Sequence, residues 1–143
     1  MPDRAWIERC LPHGPTMCLL DAVTHWDATR ISCIAAAPDA AHPLARAGFV
    51  PAITAIEYAA QATALHGAAI HDAVSPRPGM LAKIMGVTLH AACLPAAGER
   101  LDVQAEKLAD GASGCLYRFA VSSGNCPIAD GRLMVVFASE HNP

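Results

Sequence analysis

A single carboxylate, Glu57, stands inside FVPAITAIEYAAQATALHG at 49–67, a stretch otherwise made of alanine, isoleucine and other small or apolar residues. Burial resists ionisation of such a group, whereas a place in the second turn of a helix, near the positive end of the dipole, favours it. Those opposed pulls suit a proton-transfer group. Gln61 follows one turn later on the same face and can hydrogen-bond a carboxylate or a bound ligand. The competing reading is a glutamate that only supports the helix start, since Glu is a strong helix former found there in solvated or capping positions. Two histidines could complement it: His13 in LPHGPTM and His42 in HPLARAGFVPA. A neutral imidazole titrates close to operating pH and can take a proton, while a carboxyl raised by burial can donate one.

The elements that must position these groups are legible from pattern. Pro51 suits the first position of a helix that runs to about His71, and its faces are apolar nearly all round, which predicts a helix enclosed by protein with Glu57 buried or at a cleft. A short helix begins at Asp3 as N-cap and ends before Pro12. Strand-like runs Met17–His25 and Thr29–Ala37 flank a turn at Asp27 and Ala28, and the loop Pro38–Gly48 leads to the long helix. Beyond the breaker SPRPG at 75–79 come four strands, Met80–Ala91, Arg100–Leu108, Gly114–Ser123 and Pro127–Ala138. LDVQAE and LYRFAVS alternate as strands with one buried face, and LMVVFA reads as a more completely buried central strand. This order predicts one α+β domain over residues 1–143, with an antiparallel sheet wrapped around one long central helix.

A chain of 143 residues can bury about 70% of its unfolded surface and needs no staple to fold. Its 53% hydrophobic content against 16% charged residues predicts apolar surface covered by another subunit, hence a homodimer. A net charge of −3 without a basic stripe argues against nucleic-acid binding. The longest hydrophobic segment carries Glu57, Gln61 and His66, and Asp3, Arg4, Glu8 and Arg9 replace the pattern of a signal peptide, so no membrane insertion and a cytoplasmic location are expected. The cysteines at 10, 18, 33, 93, 115 and 126 lack CxxC spacing and read as reduced core residues. Neither they nor the histidines cluster as metal ligands, so no metal is expected.

Three segments, LPHGPTMCLLDAV at 11–23, VPAITAIEYAAQATALHG at 50–67 and GERLDVQAEKL at 98–108, resemble the β-hydroxyacyl-acyl carrier protein dehydratase superfamily of hot-dog proteins, particularly its branch associated with aryl polyene biosynthesis. The resemblance covers nearly the whole chain. It implies a hot-dog fold and a dehydratase converting a 3-hydroxyacyl thioester to the trans-2-enoyl thioester in fatty acid or aryl polyene-type biosynthesis. The acyl group would arrive on phosphopantetheine, from an acyl carrier protein or coenzyme A, with no further cofactor. By the same resemblance His13 is the base and Glu57 the acid, in related dimers supplied by different subunits. Backbone N–H groups at Ala52 and Ile53 would hold the thioester oxygen, and Gln61 and Tyr58 would orient Glu57 or line the acyl tunnel. Ala52 stands where the family often has glycine, which places close backbone approach at issue. Housekeeping dehydratases carry their histidine in a His-Phe-Pro-Gly-His-Pro loop before the helix; only His42-Pro43 matches it, out of register, leaving His13 as the candidate and His42 as the alternative. His66 and His71 read as interface or helix-end residues. Two other functions share these residues: a hot-dog acyl thioesterase using Glu57 as base or nucleophile, and a non-catalytic acyl-binding or pairing subunit.

Overall fold

The computed structural model describes residues 3–11, 18–39, 41–70 and 79–137. Helix α1 (Arg4–Cys10) starts where the Asp3 carboxylate accepts the Trp6 N–H at 3.0 Å, satisfying one of the donors that a helix start leaves unpaired. Its Ile7 and Cys10 turn into the core, and Arg4 ties it to the sheet through Asp21 Oδ1 at 2.8 Å.

Strand β1 (Ala22–Trp26) is shorter than the expected run from Met17. Met17 lies outside the described residues, and Leu19 gives its amide to the Gln61 side chain instead of a neighbouring strand. The turn to β2 (Arg30–Ala36) is held by Asp27, whose carboxylate accepts the N–H groups of Thr29 at 2.9 Å and Arg30 at 2.8 Å. Those two bonds stabilise the ionised form and pull its pKa down to about 2.

Pro51 is not the first helical residue. It caps a 3₁₀ turn (Ala52–Thr54) from an extended conformation and bridges to Cys93, and the turn runs into α2 (Ala55–Ile70). Strands β3 (Gly79–Leu89), β4 (Arg100–Gly111), β5 (Gly114–Ser123) and β6 (Cys126–Phe137) follow. All pairings are antiparallel in a six-stranded sheet of order β1-β2-β4-β5-β6-β3.

The expected alternation places Ile31 and Cys33 of β2, Leu101 and Val103 of β4, and Tyr117 and Phe119 of β5 in the core with α2. Burial of each large apolar side chain contributes about 1.5–3 kcal/mol before entropy costs. Strand β6 departs from expectation: Leu133 and Val135 are buried but Met134 is 36% exposed, so it too has only one covered face. The sheet curls around α2 in the hot-dog arrangement. The cysteines divide between Cys10, Cys18, Cys33 and Cys115 in the interior, Cys93 half-buried and Cys126 exposed, all unpaired.

Candidate active site

The start of α2 is fixed from two sides. Upstream, Arg46 and Phe49 pair across a tight turn whose central residues, Ala47 at φ 54° and Gly48 at φ 85°, both occupy the left-handed region. Downstream, Val50–Ala52 lies against Ala92–Leu94: the Ala52 N–H donates to the Ala92 carbonyl at 3.0 Å and the Leu94 N–H to the Val50 carbonyl at 2.9 Å. From there α2 buries Ala55, Ile56, Ala59, Ala62 and Leu65. It is not enclosed all round as its sequence suggests. Ile53, Glu57, Ala60, Ala64 and Gly67 recur at helical spacing and are exposed or half-exposed, so one strip of the helix is left partly uncovered among the described residues. Glu57 therefore sits half-buried on an open face that begins beside the exposed side chains of Phe49 and Ile53.

Gln61 connects this carboxylate to the N-terminal part of the chain. Its amide oxygen accepts the Leu19 N–H at 2.9 Å and its amide nitrogen donates to Glu57 Oε1 at 3.4 Å. The Leu19 N–H can only donate, which fixes the orientation of the amide. With 2% exposure and both ends engaged, Gln61 is placed to orient Glu57, one of the two roles expected for it. It aims one oxygen of Glu57 and anchors a residue two positions beyond segment 12–17. His13 belongs to that segment and lies outside the described residues.

The expected oxygen-binding pair also changes. The Ala52 amide is consumed by Ala92, so Ala52 is withdrawn as a donor. The Thr54 amide donates to the Pro51 carbonyl, closing the 3₁₀ turn. Ile53 keeps the first-turn position whose N–H has no acceptor within a helix.

The other candidate side chains separate by their hydrogen bonds. His42 Nδ1 accepts the Leu44 N–H at 3.0 Å, so in the neutral ring Nε2 carries the proton; that atom is buried and has no partner among the described residues. Burial holds the His42 pKa below the ordinary histidine value, against a smaller opposing pull from Asp39. His42 is thereby a donor with no free lone pair, a poor arrangement for a base. His66 is neither an interface nor a helix-end residue: fully buried in its own chain, it donates from Nε2 to the Asp27 carbonyl at 2.8 Å and accepts the Tyr117 hydroxyl at Nδ1 at 2.7 Å. Tyr58 is likewise a core residue, with burial pushing its phenol up to about 12. His71 lies outside the described residues.

The profile of the ApeP-like family, described as ApeP dehydratase, matches residues 5–142. The chain belongs to the ApeP-like dehydratase family. In structure this ApeP-like chain is similar to the dehydratase heterocomplex ApeI:P from Xenorhabdus doucetiae, with a TM-score of 0.82 at 21% identity over 94% of this chain and 91% of that one. It is also similar to a hypothetical thioesterase protein with coenzyme A from Streptococcus pneumoniae, with a TM-score of 0.64 at 7% identity over 85% and 88% of the two chains. A hypothetical protein from Staphylococcus aureus gives 0.64 at 13% identity over 82% and 92%. At these identities the likenesses speak to the hot-dog fold. No curated protein matches the sequence of the ApeP-like chain significantly.

Proposed function

We propose that the chain dehydrates a 3-hydroxyacyl thioester, carried on the phosphopantetheine of an acyl carrier protein or of coenzyme A, to the trans-2-enoyl thioester in aryl polyene-type or fatty acid biosynthesis. His13 takes the Cα proton as base. Glu57, entering as the carboxylic acid, protonates the departing β-hydroxyl, so that the C–O bond breaks, the Cα–Cβ double bond forms and water leaves. The Ile53 N–H faces the charge that develops on the thioester oxygen. The observation that carries this reading is the chain Glu57–Gln61–Leu19, which fixes the carboxylate and the stem of the segment bearing His13 through one buried amide.

The uncovered strip of α2 supports assembly with a second subunit that closes the acyl tunnel over Glu57. This reading takes the partner to be a second copy, and the ApeI:P neighbour makes a different subunit the alternative; sedimentation as a monomer at micromolar concentration would contradict both. The unpaired cysteines fit a reducing compartment such as the cytoplasm. The test is to incubate the pure protein with a β-hydroxyacyl-pantetheine and follow enoyl formation and thiol release separately. Enoyl product without thiol is expected, with a loss of about 10² to 10⁴ in rate for Glu57→Gln. Thiol release as the main product would replace dehydration with thioester hydrolysis, and full activity of a folded Glu57→Gln protein would remove Glu57 from the chemistry.

A further inference from the structure

On the face of the sheet turned away from α2, four charged residues fall in one cross-strand row. Arg30 of β2 lies opposite Glu106 of β4, Glu106 opposite Arg118 of β5, and Arg118 opposite Arg132 of β6. Adjacent strands are about 4.8 Å apart, so the row spans roughly 14 Å. Glu106 serves two of the arginines, with Arg30 Nη2 at 3.0 Å and Arg118 Nη1 at 3.3 Å. Arg132 has no ion pair among the described residues, and the nearest acid along its strand, Asp130, is held by His90 at 2.7 Å. The row thus carries three cations and one anion in a protein whose net charge is −3. Arg118 and Arg132 stand directly opposite one another, a like-charge pairing that is unfavourable on a sheet surface. A groove of about 390 Å³ floored by β2, β4 and β5 begins beside Arg118, but there Asp27 and Glu106 balance Arg30 and Arg118, so the excess positive charge lies at the Arg118–Arg132 end of the row.

We propose that this outer face docks an acidic partner protein, whose carboxylates seat between Arg118 and Arg132. The inference does not depend on the dehydratase reading. A second copy of this chain is a poor occupant, because an isologous contact would set this row against itself with one acid for three arginines. A polynucleotide is disfavoured by the chain's overall negative charge and the short span of the row. Carboxylates one helical turn apart are separated by about 5–6 Å, close to the spacing between strands, so an acidic helix laid across the strands can address successive positions.

The experiment is fluorescence anisotropy of the full chain with a labelled helical peptide bearing glutamate at every fourth position, its glutamine counterpart, and an oligodeoxythymidine of equal length. The glutamate peptide should bind at low salt and the glutamine peptide should not. The R118Q/R132Q variant should weaken binding about tenfold or more, whereas R9Q/R100Q, which removes the same charge elsewhere, should change it less than about twofold. All four arginines are solvent-exposed, and circular dichroism checks that each variant remains folded. Equal losses in the two variants would reduce the effect to net charge and overturn the proposal. So would tighter binding of the oligonucleotide, or no binding of the glutamate peptide by the unmodified chain.

Discussion

Two substitutions at Gln61 separate the bond that anchors Leu19 from the one that aims Glu57. In Gln61→Met the helix propensity and the volume are nearly kept, but the buried Leu19 N–H loses its acceptor and Glu57 Oε1 loses a donor. An orphaned buried donor costs about 1–3 kcal/mol. The 3.4 Å contact to Glu57 is long, so nearly all of the stability loss should come from Leu19. For a chain of this length that is a fall of about 3–10 °C in Tm, measured by circular dichroism. Gln61→Glu keeps an oxygen for Leu19 but sets a second carboxyl against Glu57. Two carboxylates at that separation resist joint ionisation, so one is held protonated to higher pH. The fall in Tm should therefore be smaller than for Gln61→Met, while the alkaline limb of kcat/KM for β-hydroxyacyl-pantetheine moves upward. An unchanged Tm in Gln61→Met would refute the anchoring role, and an unmoved alkaline limb in an active Gln61→Glu protein would refute the coupling to Glu57.

Three further outcomes are expected. His13→Ala should lose about 10² to 10⁴ in turnover, whereas His42→Ala should stay within a few-fold, since His42 Nδ1 is already occupied by Leu44; the reverse order in the same thioester assay would reassign the base. The pKa of Asp27 in the folded chain lies below its ordinary value of 3.8, so its contribution to stability is present above that value and is lost as pH falls towards about 2. Urea unfolding across this range should show Asp27→Ala with a weaker pH dependence than the unmodified chain, and parallel curves would count against the turn. His66→Leu strands the Tyr117 hydroxyl and the Asp27 carbonyl and should cost about 2–5 kcal/mol in urea unfolding; adding Tyr117→Phe should restore part of that, and strictly additive losses would deny the bond between them.

What could be read from sequence is what depends on neighbours along the chain. The period in LDVQAE and LYRFAVS fixed which face of β4 and β5 is buried, and the bounds of β5 matched because glycine and serine turn residues flank it on both sides. Glu57 stood out because nothing else in its helix is charged. The misjudged residues answer to distant partners. Pro51 looked helical because its bridge to Cys93 is invisible locally, and the same contact removed the Ala52 amide from the site. The pairing of Gln61 with Glu57 could be read one turn apart, but its acceptor duty to Leu19, 42 positions away, could not. His66 offered no signal for its strut to β5 and the β1–β2 turn, because a histidine late in an apolar helix reads the same whether its partners are solvent or core.

The stitching of Val50–Ala52 to Ala92–Leu94 has a mechanical corollary. Residues 90–94 continue directly from β3, the terminal strand of the sheet, which among the described residues has a neighbour on one side only. Whatever settles on that border leans on the same short tether that seats the 3₁₀ turn leading into α2, whose own first turn carries Glu57. Assembly and turnover should consequently drift together through mutation, and an alteration at the border that slows catalysis should not be mistaken for damage to the reacting groups.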